Sequence, residues 1–229
     1  MLMQSAVQTS RTQQPIRDTR RQPLVSSHAF SSSIDLMGAS MSFARNAEIY
    51  GENEPSDYLY KVFSGTVRTY KVLADGRRQI GSFYLPGDIF GLESGDEHTF
   101  SAEAVTDVKV LVIKRNALVT LAMRDNDVAQ QLWALTSGEL RRVQNHVMLL
   151  IKTAQERVVG FLLEMAKRMP SGNQVELSMS RQDIADYLGL TIETVSRTLT
   201  QLENSAAIDL PTSRRIVLRN RAALGRLNG

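Results

Sequence analysis

The chain contains no cysteine. That absence excludes disulfides, zinc fingers and cysteine-ligated iron–sulfur clusters. Histidine is nearly as scarce. His28, His98 and His146 stand far apart without metal-ligand spacing, so neither a metal nor another cofactor is expected. A metal-dependent enzyme on a β-roll would need a pattern such as His-x-His, and no nucleophile–base pair stands out, so catalysis is not expected. No run comes near the roughly 20 apolar residues that cross a bilayer. The first residues carry arginine without the apolar stretch of a secretory signal. The reading is a cytoplasmic protein with no membrane partner.

Excess charge is small as well. The net charge is +3 over 229 residues, too little to establish a nucleic-acid partner. Its distribution is uneven. Residues 1–33 carry 4 basic groups against 1 acidic, residues 34–152 carry 13 against 15, and residues 153–229 carry 10 against 8. Arg214, Arg215, Arg219 and Arg221 cluster in the last part. Alone, such a cluster reads as a solvated face as readily as a phosphate-binding one.

What is present divides the chain. Residues 1–33 are rich in Gln, Ser, Thr and Arg and lack apolar periodicity, the composition of a mobile tail. Residues 34–115 are assigned to one domain, with a strand-like pattern from about residue 43. Tyr58, Tyr60 and Val62 alternate with Leu59, Lys61 and Phe63; Val67, Thr69 and Lys71 alternate with Arg68, Tyr70 and Val72. Asp75-Gly76 marks a hairpin, because glycine supplies positive φ. Pro86-Gly87-Asp88 turns the chain again, and residues 103–113 close the series. This predicts an antiparallel sandwich, jelly roll or barrel.

The period then changes. Residues 116–152 are assigned to a dimerisation helix, most regular over 126–152, with Gly138 its only glycine there and no proline. Val128, Leu132 and Leu135 are joined by a skip of five to Leu140, Val143, Val147 and Leu150. The stripe suggests a seam between two copies of the chain, against the alternative of a helix packed on its own domain. A second amphipathic helix covers 154–169, with Val158, Phe161, Leu162, Met165 and Met169 on one side, and Pro170-Ser171-Gly172 stops it. Then come a short strand (175–178), two helices and a hairpin with its tip at 211–214. Helix, strand, helix, helix, hairpin is a winged-helix order, giving residues 153–229 as a separate unit of an α+β protein.

The informative segment is 180–203. Ser180 with Asp183 makes a capping pattern. Ile184, Ala185 and Leu188 form a buried stripe, Gly189 ends the helix, and Thr191 caps the next. Ala185, Gly189 and Val195 have helix-turn-helix spacing: a small residue where two helices approach, a glycine in the turn, an apolar residue between them. On the second helix Val195, Leu199 and Leu202 face inward; Glu193, Ser196, Arg197 and Thr200 face outward. An arginine can donate twice to guanine, and a glutamate can accept from cytosine N4. Glu193 and Arg197 are therefore candidate base readers. Ile192 either touches a thymine methyl or covers the core edge. Ser180, Arg181, Ser196, Thr200 and Arg214 are candidate phosphate contacts. The alternative for Glu193 and Arg197 is a mere i, i+4 surface pair.

Glu193-Thr194-Val195-Ser196-Arg197, with Asp183-Ile184-Ala185-Asp186-Tyr187-Leu188-Gly189-Leu190 before it, resembles the recognition motif of the family of the cyclic-AMP receptor protein and the fumarate–nitrate reductase regulator (CRP/FNR). Pro86-Gly87-Asp88-Ile89-Phe90-Gly91 is similar to a turn in that family's cyclic-nucleotide-binding-like jelly roll. The resemblance implies a homodimeric activator that reads a TTGA-like inverted repeat in double-stranded DNA and contacts RNA polymerase. The departures imply a branch. Cyclic-nucleotide sensors hold the phosphate with an arginine, where this chain has His98 with Glu93, Asp96 and Glu97 nearby. The N-terminal cysteine cluster of the oxygen sensors is missing. What remains resembles the FixK branch, which implies control of low-oxygen respiration and nitrogen-fixation genes without a small effector. A ligand-gated regulator of the same fold is the alternative.

Overall fold

The computed structural model describes residues 37–169 and 172–228. The expected tail over 1–33 and the helix stop at 170–171 lie outside the described residues. Eight strands come first: β1 (Ala39–Phe43), β2 (Glu48–Tyr50), β3 (Tyr58–Ser64), β4 (Val67–Val72), β5 (Arg78–Tyr84), β6 (Ile89–Phe90), β7 (Ser101–Ala104) and β8 (Val108–Lys114). They form two antiparallel sheets, ordered β1-β8-β3-β6 and β2-β7-β4-β5. Tyr60, Val62 and Val110 from one sheet meet Tyr50, Val67 and Ala102 from the other in a shared core. This is the expected jelly roll. Gly65 turns β3 into β4 at φ +83°, where an added Cβ would lie 2.3 Å from the Asp107 carbonyl oxygen.

Strand alternation holds between the sheets, yet both faces of β3 and β4 are partly covered. Leu59, on the outer face of β3, is buried with Ile89, Leu111 and Ile113 beneath the helices that follow. Arg68, on the outer face of β4, is buried beneath the C-terminal domain.

The expected single helix over 116–152 is two helices. Helix α1 (Arg115–Ala122) lays Leu118 on the roll, and α2 (Asn126–Leu150) starts afresh. The Asp125 carboxylate caps α2, accepting from the Asp127 N–H at 2.9 Å. The proposed seam is also corrected. Val128 is 3 % exposed, buried among Leu59, Leu111 and Leu118 of its own chain. Leu132 and Leu135 pack on the same cluster. Leu150 is half-buried and faces the Gly189 turn. A skip of five rotates a helical stripe by about 140°. The residues before and after the skip therefore lie on different faces. Leu140, Val143 and Val147 remain exposed, joined by Trp133, Met148 and Ile151.

The C-terminal domain runs α3 (Ala154–Arg168), β9 (Gln174–Glu176), α4 (Arg181–Leu188), α5 (Ile192–Asn204), β10 (Ile208–Asp209), β11 (Arg215–Leu218) and α6 (Arg221–Leu227). Thr153 and Glu156 close a capping box at the start of α3. The three strands form one antiparallel sheet, β10-β11-β9, which makes the wing. The core of this domain is continuous with Ile80, Phe83 and Leu85 of the roll.

Candidate nucleic-acid interface

Helices α4 and α5 are set by local chemistry. The Ser180 hydroxyl accepts from the Asp183 N–H at 3.0 Å and donates to the Asp183 carboxylate at 2.8 Å, completing a capping box. Gly189 closes α4 in the left-handed region at φ 61°, ψ 42°. The Leu190 N–H then donates to the Ala185 carbonyl at 3.0 Å. From α3, Arg157 donates to the Leu188 carbonyl at 2.9 Å and steadies the turn. Ala185 and Val195 are fully buried where the helices meet. Thr191 caps α5, accepting from the Thr194 N–H at 3.2 Å.

These constraints leave one face of α5 outward. Val195, Thr198, Leu199 and Leu202 are buried; Glu193, Arg197 and Thr200 are exposed and Ser196 is half-exposed. Ile192 lies at the edge, exposed at the start of the helix. Among the described residues Arg197 forms no hydrogen bond and no short ion pair, not even with Glu193 one turn away. The Glu193 carboxyl is held below its usual range first by its own backbone N–H, then by the Thr191 hydroxyl. It is an ionised acceptor at neutral pH.

The phosphate candidates divide. In the free chain the Ser180 hydroxyl donates to Asp183 within the capping box. Thr200 donates to the Ser196 carbonyl at 3.1 Å. Arg181 is half-buried, one guanidinium nitrogen has no partner among the described residues, and burial holds its pKa below the usual arginine value. Arg214 is exposed at the wing tip. Arg215 is tied to Gln174 at 2.6 Å and Arg219 to Asp209 at 2.8 Å, so part of the basic cluster braces the wing itself.

In the roll, His98 is not a surface residue. It is 1 % exposed, stacks on Tyr50 at 3.5 Å and lies 3.2 Å from the Glu93 carboxylate. Beside it a cavity of about 540 Å³ opens between the roll and α2, lined by Thr69, Ser82, Glu93, Glu139, Val143 and His146 among others. One Glu93 oxygen is buried with no hydrogen-bond partner among the described residues.

Sequence reading missed Trp133 and Ile151 on the exposed face of α2, although 133, 140 and 147 repeat at sevens. It also missed Arg68 and Arg78, which meet the first helix of the motif; no local signal marks a contact across more than 100 residues.

Residues 156–227 match a Crp-like helix-turn-helix domain, and residues 40–125 match a cyclic nucleotide-binding domain. The nitrogen fixation regulation protein FixK of Azorhizobium caulinodans is 52% identical over 84% of this chain and 80% of its own. The protein of that name from Rhizobium meliloti is 42% identical over 77% and 81%. The solved structure of FixK2 from Bradyrhizobium japonicum superposes with a TM-score of 0.81 at 52% identity, covering 84% of this chain and 98% of that one. Among the described residues, no helix is long and apolar enough to cross a membrane. The chain belongs to the CRP/FNR family of helix-turn-helix transcription regulators, which are not enzymes, and within it to the FixK type.

Proposed function

We propose that this chain is a cytoplasmic, homodimeric activator that reads a TTGA-type inverted repeat through Glu193 and Arg197 and recruits RNA polymerase to low-oxygen and nitrogen-fixation genes. The carrying observation is the outer face of α5, where a glutamate and an arginine in the first two turns stand exposed and unpaired with each other. A recognition helix enters the major groove by such an N-terminal face. Ser180, Arg181, Ser196, Thr200 and Arg214 flank it as phosphate contacts. Leu140, Val143, Val147, Trp133 and Ile151 supply the exposed stripe on which a second copy packs.

The effector-free reading is supported by the cavity's chemistry. Glu93 and Glu139 line it, and one Glu93 oxygen lacks a partner among the described residues, so a nucleotide phosphate would meet a repelling field. The cavity touches α2, which favours a second reading: gating by a ligand of other chemistry. Binding without any ligand to a TTGA inverted repeat and to a scrambled duplex, at fixed salt, tests the proposal. Specific readout gives a preference of about a thousandfold or more. Weak, equal binding to both contradicts it, and a preference gained only with added effector selects the second reading.

A further inference from the structure

Arg68 and Arg78 lie on neighbouring strands of the roll, in β4 and β5. Their side chains leave the roll and end on α4, the first helix of the DNA-binding motif. The Asp183 carboxylate receives both: Arg68 donates to its Oδ1 at 2.7 Å and Arg78 donates to the same oxygen at 2.6 Å. Arg78 also donates to Asp186 Oδ2 at 2.8 Å, two residues before the end of α4. Glu103 steadies Arg68 from β7 at 2.8 Å, and Gln182 holds the other Asp186 oxygen at 2.6 Å. Arg68 and Asp183 are both buried.

Asp183 divides its work between its two oxygens. Oδ2 accepts from the Ser180 N–H and hydroxyl and so starts α4. Oδ1 takes both arginines and so ties α4 to the roll. Helices α4 and α5 are locked to each other at Ala185, Gly189 and Val195. The direction of α4 on the roll is therefore the direction of α5. Elsewhere on this seam the Thr66 and Ser178 hydroxyls pair at 2.8 Å, Gln79 makes a long bond to the Tyr187 carbonyl and Phe83 packs on Tyr187, while Arg168 donates to the Phe83 carbonyl at 2.8 Å and to Asp88, a tie that holds α3 and not α4. Apolar packing is non-directional. The paired guanidinium forks are directional. They also leave the outer face of α5 free, so they orient the reading face without masking it.

We propose that Arg68 and Arg78 are positioning residues for DNA binding: through Asp183 and Asp186 they set the bearing of the reading helix, and with it the half-site spacing that the dimer accepts. This rests on the DNA-binding reading above. A dimeric helix-turn-helix protein reads half-sites about one helical turn apart, so a change in bearing alters the accepted spacer before it alters recognition within a half-site.

The test uses the full chain and three kinds of duplex: a TTGA inverted repeat with its best spacer, the same repeat with two base pairs added or removed, and a single half-site. Arg78→Met keeps the length of the side chain and removes the fork. It is expected to reduce the preference for the best spacer about tenfold, with half-site binding unchanged within about twofold. Arg78→Lys retains a charge at Asp183 and keeps part of the preference. Arg77→Met removes an exposed neighbour that pairs with Asp75 beside it, away from α4, and changes nothing. Because the spacer preference is a ratio within one preparation, a partly inactive variant does not distort it. The proposal is overturned if Arg78→Met keeps the preference, loses half-site and full-site binding equally, or binds more tightly. If the unaltered chain distinguishes neither sequence nor spacing, the DNA-binding reading fails first and the positioning role with it.

Discussion

Glu193 and Arg197 stand one turn apart in the order that stabilises a helix surface, yet they form no short ion pair. Their separation matters for reading, because an arginine already forked on a carboxylate has fewer donors for guanine. His146 shows how a single half-buried group ties stability to pH. Its ring lies 4.0 Å from that of Tyr187 on α4, its Nδ1 has no partner among the described residues, and burial lowers its pKa. Glu93 and Glu139 line the same cavity, but burial sets the direction. The unfolded chain takes up this proton near pH 6.5; the folded chain takes it up only at lower pH. Below about 6.5 the unfolded state therefore binds more protons, and stability falls as pH drops. Calorimetry between pH 7.5 and 5.5 is expected to show a larger fall in Tm for the unaltered chain than for His146→Gln. Equal slopes would remove His146 from the pH response.

Helix α2 carries two stripes with different duties. Val128, Leu132 and Leu135 hold it to its own roll; Trp133, Leu140, Val147 and Ile151 face away from the chain. Substitutions on the two should separate stability from assembly. Val128→Ala is expected to destabilise the fold by roughly 2 kcal/mol, read by denaturant unfolding, because it leaves a cavity in a packed core. Leu140→Asp with Val147→Asp is expected to shift sedimentation from dimer to monomer while the β-sheet circular dichroism signal stays. A dimer that survives both aspartates would contradict the seam. The amphipathic period was legible in the sequence, and so was the interruption. What was not legible is that the interruption marks a change of face. Periodicity records that residues are apolar, and the partner of each stripe is set by tertiary packing.

For the whole molecule, the parts fixed by neighbours in sequence were the readable ones. Ser180 with Asp183, Gly189 after Leu188, and Val195 six residues on define the helix-turn-helix through bonds that span a few residues. Gly65 and Gly76 likewise mark turns at positive φ. Strand β1 escaped notice as a short edge strand: Ala39, Met41 and Phe43 alternate with Ser40 and Ser42, but small residues dominate and nearly all of it is exposed. Arg68 escaped because its face of β4 would be solvent-exposed in an isolated roll; it becomes interior only when α4 covers it. The outer face of α5 was fully legible, since its polar and apolar sides differ within one helix. That face carries the central claim, and Arg197→Ala tests it most directly. Binding is measured against operators substituted singly at every base of the half-site. The expected result is a loss of about 1–3 kcal/mol on the intact operator and no further loss when one particular base pair is changed, with selectivity elsewhere retained. A uniform loss across all operators would make Arg197 a phosphate contact, and no loss at all would contradict base reading by α5.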